Sequence, residues 1–311
     1  MELKKIGLLG GRGYVGQEIF KVLSQHDFLK ITSVFSTSKS GHQVDQAMDQ
    51  SLIYQDLATD KIKLSDEDAF ILALPNNQSQ PYIDLIHRHN PKAIIVDLSA
   101  DNRFDDDWEY RVPEISKPKQ SSRISNPGCY ASAMQFMLAP LKNILDGPAH
   151  FFGISGYSGA GATPNEKNDP NNLEGNIIPY SLSGHIHEKE VMKHCYEKIS
   201  FSPHVANFFR GILITSHIQL TKKLSSSEIY DLYKSFYKDK KLIQVIKEIP
   251  MINKVSNSHY VSIGGFEVDE SGYGLTVCCT LDNLLKGAAT QVIQNLNHAC
   301  SLDQLTGINY E

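Results

Sequence analysis

One cysteine of this 311-residue chain lies in a segment that favours nucleophilic chemistry. Cys129 follows the letters S-N-P-G at 125–128 and precedes a helix-forming run at 131–138. We therefore expect it at a helix N-terminus, where the positive end of the helix dipole lowers the pKa of a thiol. A thiolate there can attack a carbonyl carbon and form a thioester or thiohemiacetal. We interpret the other four cysteines as small, buried, inert residues. They are Cys195, Cys278, Cys279 and Cys300.

Glycines near the start of the chain indicate a phosphate-binding turn. They are spaced G-x-x-G-x-x-G over residues 10–16, between an apolar segment and a predicted helix. Glycine lets the backbone turn sharply and approach a phosphate at the N-terminus of the following helix. A tight turn without a ligand has the same pattern and stays the alternative. The residues expected to bind a dinucleotide are Gly10, Gly13, Tyr14, Val15 and Gly16.

The end of the second predicted strand favours NADP over NAD as the cofactor. An NAD site usually has an acidic residue there, which binds the ribose 2′-hydroxyl. This chain has Ser36, Thr37, Ser38 and Lys39 instead, with no acidic residue between 30 and 44. Hydroxyls and an ammonium group bind a 2′-phosphate that a carboxylate would repel. We predict that Ser36, Ser38 and Lys39 select NADPH, with an ordinary solvated loop as the alternative.

The letters S-N-P-G-C-Y at 125–130 resemble the active-site cysteine motif of the N-acetyl-gamma-glutamyl-phosphate reductase family. These are NADPH-dependent enzymes of arginine biosynthesis, and a more distant similarity is to the aspartate-semialdehyde dehydrogenases. The resemblance covers nearly the whole chain, because further family motifs follow in the same order. They are the glycine loop at 10–16, D-L-S-A-D-N-R-F at 97–104, G-Y-S-G-A-G at 156–161, F-R-G-I at 209–212 and D-N-L-L-K-G-A-A at 282–289.

One segment departs from the family pattern. Many members carry H-R-H-x-P-E, whereas this chain has H-I-H-E-K-E at 185–190, preceded by I-P-Y at 178–180. This form is similar to a shorter branch related to fungal versions. Imidazole titrates near neutrality, which suits general acid–base catalysis. We predict His185 as the acid/base, with His187 as the alternative for that role and otherwise a substrate-binding residue.

The resemblance implies reduction of N-acetyl-L-glutamyl 5-phosphate to the 5-semialdehyde and phosphate, through a thioester on Cys129. Guanidinium groups bind phosphate or carboxylate bidentately, so arginines in the shared motifs are candidate anion clamps. With the second histidine, the predicted substrate-binding residues are Arg103, Asn126, His187 and Arg210. The cofactor-binding residues that the resemblance implies in the second half of the chain are Ser158, Gly159 and Asn283.

Two other functions remain open from the residues. A semialdehyde dehydrogenase for aspartyl phosphate or an aminoadipyl derivative would share these motifs, because one sequence does not identify the acyl-binding pocket. A non-catalytic, NADP-sensing regulator would need neither the cysteine nor the histidine, so their presence disfavours it. The resemblance also implies a homo-oligomer, a dimer or tetramer, with an antiparallel sheet as the candidate interface.

The elements that must position these residues change character along the chain. Short apolar strands first alternate with helices, which predicts a parallel sheet with crossover helices. Longer strands follow after about residue 150, the last two joined by a hairpin signal at 269–274. The predicted fold is a Rossmann-type α/β domain plus an α+β domain with a largely antiparallel sheet. The predicted strands are 4–10, 30–36, 69–74, 93–98, 150–156, 211–221, 260–268 and 274–281, and the predicted helices are 14–25, 79–89, 225–238 and 284–298.

The order of the motifs predicts the domains. Residues 1–128 with 282–311 are expected to form the NADP-binding domain, because the family resemblance implies that the final helix returns to it. Residues 129–281 are expected to form the substrate, catalytic and oligomerisation domain.

Composition excludes several classes of protein. The net charge of −5 gives no basic surface for nucleic acid or an anionic membrane. Five cysteines without a C-x-x-C pair argue against a disulfide framework and a zinc site, so no metal is expected. The sequence shows no secretory signal and no apolar stretch of about 18 residues. We therefore expect a cytoplasmic enzyme of small molecules, with no nucleic-acid or membrane partner.

Overall fold

The computed structural model describes residues 2–44, 52–59, 62–117 and 119–310. Contacts between Cα atoms divide the chain into two compact units. Unit 1 comprises Met1–Pro127 and Ala288–Asn309, and unit 2 comprises Gly128–Gly287 and Tyr310–Glu311. The chain therefore leaves unit 1 just before the predicted nucleophile and returns after Gly287.

Unit 1 is an α/β unit around a seven-stranded sheet. Its elements are β1 (Lys4–Leu9), α1 (Tyr14–Leu23), β2 (Leu29–Phe35), β3 (Tyr54–Gln55), β4 (Ala69–Leu72), α2 (Gln80–His89), β5 (Ile94–Asp97), β6 (Glu109–Tyr110), β7 (Arg123–Ser125) and, from the end of the chain, α8 (Thr290–Ala299). The strand order is β3-β2-β1-β4-β5-β7-β6, with parallel pairing throughout. The order reverses at β1, and ligands of open α/β sheets bind where this reversal occurs.

The apolar residues of its strands explain why this sheet is covered on both faces. Ile6, Leu8 and Leu9 of β1 are fully buried, although neighbouring side chains of a strand point to opposite faces. Both faces are therefore covered, as is typical of parallel sheets with crossover helices.

Unit 2 contains a second seven-stranded sheet. Its elements are α3 (Cys129–Leu138), β8 (Ala149–Gly156), α4 (Pro170–Leu173), β9 (Ile177–Pro179), α5 (Ile186–His194), β10 (Ile199–Ala206), β11 (Ile212–Gln219), α6 (Ser226–Phe236), β12 (Ile243–Val245), α7 (Ile252–Val255), β13 (Val261–Val268) and β14 (Gly274–Leu281). The order is β12-β13-β14-β11-β8-β10-β9. The β8–β10 and β12–β13 pairs are parallel and the other four are antiparallel, so the sheet is mixed and largely antiparallel.

Helices cover one face of the second sheet. Inward residues of β11, such as Ile212 and Ile214, are fully buried. The Tyr233 hydroxyl of α6 donates to the Met137 carbonyl of α3, and the Tyr237 hydroxyl donates to the Phe136 carbonyl at 2.6 Å. The opposite face carries the exposed and half-buried residues of β8, β10 and β11, and we call it the open face. Its members are His150, Phe152, Ile154, Ser200, Ser202, His204, Leu213, Thr215, His217 and Gln219.

The structure confirms the predicted fold class and most of the predicted elements. The helix predicted at 225–238 forms as α6, and a capping box between Ser225 and Glu228 begins it. The last helix was predicted at 284–298, but α8 begins at Thr290 and a π-helical segment, Leu285–Ala289, precedes it. Among the helices of the described residues, none combines the length and apolar character that a membrane span requires.

Candidate active site

Cys129 is the first residue of α3, which confirms the predicted position at a helix N-terminus. Gly128 is the capping residue and has no side chain to cover the helix end. The thiol is partly exposed. Gly287 packs beside it so closely that a Cβ on Gly287 would lie 2.7 Å from the Cβ of Cys129. Glycine at 287 therefore leaves the room in which the cysteine sits.

A buried glutamate fixes the turn that presents this cysteine. The Gly128 N–H donates to Oε1 of Glu190 at 2.7 Å, and Glu190 of α5 is fully buried. A carboxylate at a helix N-terminus satisfies an amide that the helix leaves unbonded. The sequence analysis missed this residue, because its partner lies 62 positions away. The only sequence signal was its place in the H-I-H-E-K-E segment.

Both predicted histidines lie at the start of α5. His185 is the capping residue, and its Nδ1 accepts the His187 N–H at 3.1 Å. The two rings are 4.8 Å apart, and they lie 6.4 and 6.1 Å from the Tyr130 ring. Burial lowers the pKa of His185 to about 4, with a further contribution from the positive charge of Lys167. Since Nδ1 is an acceptor, the neutral ring carries its proton on Nε2.

Aromatic rings surround the histidines. The His185 ring is 5.6 Å from that of Tyr180 and 5.4 Å from that of Phe201. Burial raises the pKa of Tyr180, and the charge of Cys129 contributes in the same direction. The Tyr130 hydroxyl donates to the His204 carbonyl at 2.8 Å, which fixes that ring.

Arg103 and Asn126 belong to a bonded network in unit 1. Arg103 is buried, and it donates from Nε to the Asn126 carbonyl at 2.9 Å and from Nη2 to the Leu98 carbonyl at 2.6 Å. The Asn126 side chain accepts from Nδ2 of Asn295 at 3.0 Å. Asn295 in turn accepts from the buried Arg111 at 2.7 Å. These bonds hold the segment that leads toward Gly128.

Arg210 is held by a buried aspartate. Its Nε lies 2.6 Å from Oδ2 of Asp282 in an ion pair, and its Nη2 donates to Oδ1 at 2.9 Å. Nη1 donates to Oδ1 of Asn257 at 2.8 Å. The side chain of Asp282 is fully buried. This fork-like pairing gives Arg210 a structural partner within unit 2.

Ser158 and Asn283 are brought together. Nδ2 of Asn283 donates to the Ser158 hydroxyl at 2.9 Å, and its Oδ1 accepts the Gly211 N–H at 2.7 Å. Both side chains are buried, whereas the neighbouring Gly159 is exposed. Asn283 therefore ties the turn after β8 to the start of β11.

The glycine loop forms the predicted turn between β1 and α1. Gly10 has φ +82°, and a Cβ there would lie 2.2 Å from the Ala73 carbonyl oxygen. A Cβ on Gly16 would lie 2.6 Å from the Gly10 carbonyl oxygen. Gly13 caps α1 without a side chain, so the helix start has the form that accepts a phosphate. Tyr14 and Val15 are half-buried in its first turn.

The predicted 2′-phosphate residues follow β2. Ser36 is buried and its N–H donates to the Gln55 carbonyl at 3.0 Å. Ser38 is exposed and Lys39 is half-buried. The predicted site residues thus divide between the units, with the glycine loop, Ser36–Lys39, Arg103 and Asn126 in unit 1. The predicted nucleophile, both histidines, Arg210, Ser158, Gly159 and Asn283 belong to unit 2.

Burial raises the pKa of three of the remaining cysteines. Burial raises the pKa of Cys195 and of Cys300 to about 11, and it raises the pKa of the fully buried Cys279. These thiols stay protonated at neutral pH. In the described part of the chain, no three His, Cys, Asp or Glu side chains are grouped to hold a metal ion.

Two protein families match the chain. The semialdehyde dehydrogenase NAD binding domain matches residues 5–123, and the semialdehyde dehydrogenase dimerisation domain matches residues 129–283. Together these matches span the greater part of both units.

Curated relatives are similar over nearly the whole chain. An N-acetyl-gamma-glutamyl-phosphate reductase of Xanthomonas campestris pv. campestris (strain B100) is 42% identical, over 97% of this chain and 98% of the relative. Protein arg11, mitochondrial, of Schizosaccharomyces pombe is 42% identical over 99% of this chain. Protein arg-6, mitochondrial, of Neurospora crassa is 43% identical over 98%. The chain spans only 36% of the length of each of these two fungal proteins.

Solved structures share the fold. Aspartate semialdehyde dehydrogenase II of Vibrio cholerae, complexed with ASA, has a TM-score of 0.82 at 15% identity and covers 97% of this chain and 99% of its own. The aspartate semialdehyde dehydrogenase of Candida albicans with NADP has a TM-score of 0.73 at 17% identity, over 96% and 100%. At these identities the likeness concerns the fold alone.

Proposed function

The chain belongs to the semialdehyde dehydrogenase family, in the branch of the N-acetyl-gamma-glutamyl-phosphate reductases, and we propose that it reduces N-acetyl-L-glutamyl 5-phosphate to N-acetyl-L-glutamate 5-semialdehyde and phosphate with NADPH, in arginine biosynthesis. One observation carries this proposal. A cysteine begins helix α3, and the turn before it is bonded to helix α5, which His185 caps. The 42% identity to reductases that bear this name supports the choice of substrate.

The proposed first step uses Cys129 as the nucleophile. The thiol proton passes to a histidine, and the sulfur attacks the acyl carbon. The bond between that carbon and the phosphate oxygen breaks, and the phosphate leaves with the proton from the histidine. The positive end of α3 favours the thiolate that this step needs.

The second step releases the aldehyde. Bound NADPH supplies a hydride to the carbonyl carbon of the thioester. The resulting thiohemiacetal oxyanion re-forms its carbonyl, the carbon–sulfur bond breaks, and the aldehyde leaves. The thiolate then takes up a proton, which balances the reaction and restores Cys129.

His185 is the proposed acid/base, with His187 as the alternative for that role. The neutral His185 ring carries its proton on Nε2 and can donate a hydrogen bond from it to the phosphate or to the oxyanion. To carry the thiol proton to the leaving phosphate, the ring accepts it at Nδ1, which breaks the bond to the His187 N–H, and then gives it up again from Nδ1.

Unit 1 is proposed to bind the cofactor. The close packing of Gly10 and Gly16 leaves no room for side chains, and the uncapped start of α1 suits a pyrophosphate. Ser36, Ser38 and Lys39, which follow β2, would hold the 2′-phosphate. We also propose Ser158, Gly159 and Asn283 as cofactor-binding residues, with Asn283 acting through its bond to Ser158.

We propose a homo-oligomer, a dimer or tetramer, that forms through the open face of the second sheet. The matched dimerisation domain spans this sheet, and exposed apolar residues such as Phe152 lie on its open face. None of the five cysteines forms a disulfide, which fits a reducing compartment. We propose the cytoplasm, with the mitochondrion of the named fungal relatives as the alternative.

The reverse reaction tests the function. Purified protein is incubated with phosphate, NADP and N-acetylglutamate semialdehyde, and NADPH absorbance is followed. We expect phosphate-dependent reduction of NADP, with much slower reduction of NAD. Aspartate semialdehyde and aminoadipate semialdehyde serve as parallel substrates. Faster turnover of either one would move the function to another semialdehyde dehydrogenase. Equal rates with NAD would contradict the role of Ser36, Ser38 and Lys39.

A further inference from the structure

Lys167 places a positive charge beside the rings of the candidate active site. Its Nζ lies 4.6 Å from the centroid of the Tyr180 ring, and that ring is 5.6 Å from the ring of His185. Lys167 is also the charged group that adds to burial in lowering the pKa of His185. The His185 ring in turn is 6.4 Å from the ring of Tyr130, the residue that follows Cys129. The lysine, the histidine and the nucleophile therefore share one neighbourhood of unit 2.

Asparagine side chains order the exposed loop that carries this lysine. Nδ2 of Asn165 donates to the carbonyls of Ala160 and Thr163 at 3.1 and 2.9 Å. Nδ2 of Asn168 donates to the carbonyls of Gly161 and Thr163, both at 2.9 Å. The N–H of Lys167 itself donates to Oδ1 of Asn165 at 3.0 Å. The loop is thus built from side-chain-to-backbone bonds, and the position of the lysine is specified.

The two predicted anion clamps have partners within the protein. The Arg103 guanidinium donates to two backbone carbonyls, and that of Arg210 pairs with the buried Asp282. These acceptors occupy the donors of each guanidinium and offset part of its positive charge, which weakens its attraction for a substrate anion. The ammonium of Lys167 has a different setting, because the face of an aromatic ring holds a cation without neutralising it.

We propose that Lys167 binds an anionic group of the substrate next to Cys129. The group is the phosphate or the carboxylate of the acyl phosphate, so its identity rests on the proposed function. An ammonium group is a compact charge with three donors on a flexible stem. It can leave the Tyr180 ring, meet the anion and return when the product leaves. For a phosphate, the same contact would stabilise the negative charge that gathers on the leaving oxygen.

Kinetics of the reverse reaction separate the two anions. We compare Lys167→Met, Lys167→Arg and the wild type, and vary phosphate and semialdehyde in turn. A lost hydrogen bond to a charged group predicts a KM roughly tenfold higher or more for the anion concerned. A raised KM for phosphate alone assigns the lysine to the phosphate, and a raised KM for the semialdehyde alone assigns it to the carboxylate. Lys167→Arg keeps the charge and should restore most of the affinity.

Lys223→Met is the matched control. Lys223 also lies over a tyrosine ring of unit 2, with Nζ 5.7 Å from the centroid of Tyr273. Lys223 packs against Gly272, in the hairpin before β14. Gly287, which packs beside Cys129, follows the other end of β14, so Lys223 and Cys129 are associated with opposite ends of this strand. The control should leave both KM values within twofold of the wild type.

Alkylation of Cys129 tests anion binding without the reaction. Iodoacetate carries a carboxylate and iodoacetamide does not, so the ratio of their rates at Cys129 reports a nearby cation. Peptide mapping identifies the modified cysteine. We expect Lys167→Met to lower the ratio several-fold and Lys223→Met to leave it unchanged.

The outcomes are distinct. An unchanged ratio in Lys167→Met, or unchanged KM values for both anions, overturns the role of Lys167. A wild type that turns over no semialdehyde refutes the proposed function instead, and the alkylation ratio alone then decides whether Lys167 binds an anion.

Discussion

The position of Cys129, and not its residue type, distinguishes it from the other cysteines. Burial keeps Cys195, Cys279 and Cys300 protonated, because their pKa values are raised. Cys129→Ser should therefore abolish turnover and leave NADPH binding intact, as measured by the reverse assay and by fluorescence titration of the cofactor. Cys300→Ser is the control and should keep its activity. Residual turnover in Cys129→Ser above a thousandth of the wild-type rate would contradict the assignment.

His185 caps α5 and is also the proposed acid/base, and one substitution can separate these two roles. Asparagine is among the best capping residues, so His185→Asn keeps the acceptor for the His187 N–H and removes only the imidazole. We expect kcat to fall about 10²- to 10⁴-fold, as is typical for a lost acid or base, while the melting temperature stays near that of the wild type. His187→Asn is the comparison. A larger fall in His187→Asn than in His185→Asn would assign the main proton transfer to His187.

The lowered pKa of His185 also predicts a dependence of stability on pH. The folded pKa is about 4, below the usual histidine value near 6.5, so between these values only the unfolded chain binds the proton. Stability is therefore lost as the pH falls through this window. Urea unfolding at pH 7 and pH 5 should show the wild type losing about 1–2 kcal/mol more than His185→Asn. Equal losses in both proteins would refute the lowered pKa.

At the level of elements, Arg210 joins the start of β11 to the segment after β14. Removing one partner of a buried ion pair leaves an uncompensated charge, here that of Asp282. Arg210→Met should lower the free energy of unfolding by about 3–5 kcal/mol in urea denaturation. Arg88→Met, on the exposed end of α2, is the control and should stay within about 0.5 kcal/mol. An unchanged stability together with a raised KM for the substrate would instead make Arg210 the anion clamp predicted from the sequence.

Elements with a continuous apolar or a clear helical pattern could be predicted from the sequence. β1, β4 and β5 lie within their predicted ranges, because a strand buried on both faces reads as an apolar run. β10 was missed because its letters, I-S-F-S-P-H-V-A, include a proline and alternate with polar residues. The short α5 was missed as well, since its hydrophobic pattern is weak and its buried Glu190 looks like a surface residue in sequence.

The candidate site shows the same limit. The position of a residue at a turn or a helix start, such as that of Cys129 after Gly128, can be predicted because it depends on the residues next to it in the sequence. The partner of Arg210 lies 72 residues away, and only the paired strands bring the two together. The sequence analysis also missed Lys167. An exposed lysine in a polar loop has no sequence pattern that would place it over Tyr180.

At the level of the whole molecule, the open face of unit 2 carries apolar side chains that a sheet face in contact with water seldom has. Phe152 is 45% exposed, and its ring lies 4.2 Å from that of His204 on the neighbouring strand. The half-buried Ile154 and Leu213 pair directly in the next row of the same face. An exposed aromatic ring with apolar neighbours on an uncovered sheet face is a candidate protein interface. The match to a dimerisation domain over these strands makes a second copy of the chain the expected partner.

Phe152→Glu tests this interface. Burying an unpaired carboxylate there should dissociate the oligomer, because the cost of desolvating an ion is several kcal/mol. Light scattering after size exclusion should then give the subunit mass of 34.8 kDa, whereas we expect at least twice that value for the wild type. Phe236→Glu is the matched control, since Phe236 is 43% exposed on α6, which belongs to the helical layer on the opposite face. If Phe236→Glu dissociates the oligomer and Phe152→Glu does not, association occurs through the helical face, and the open face must have another partner.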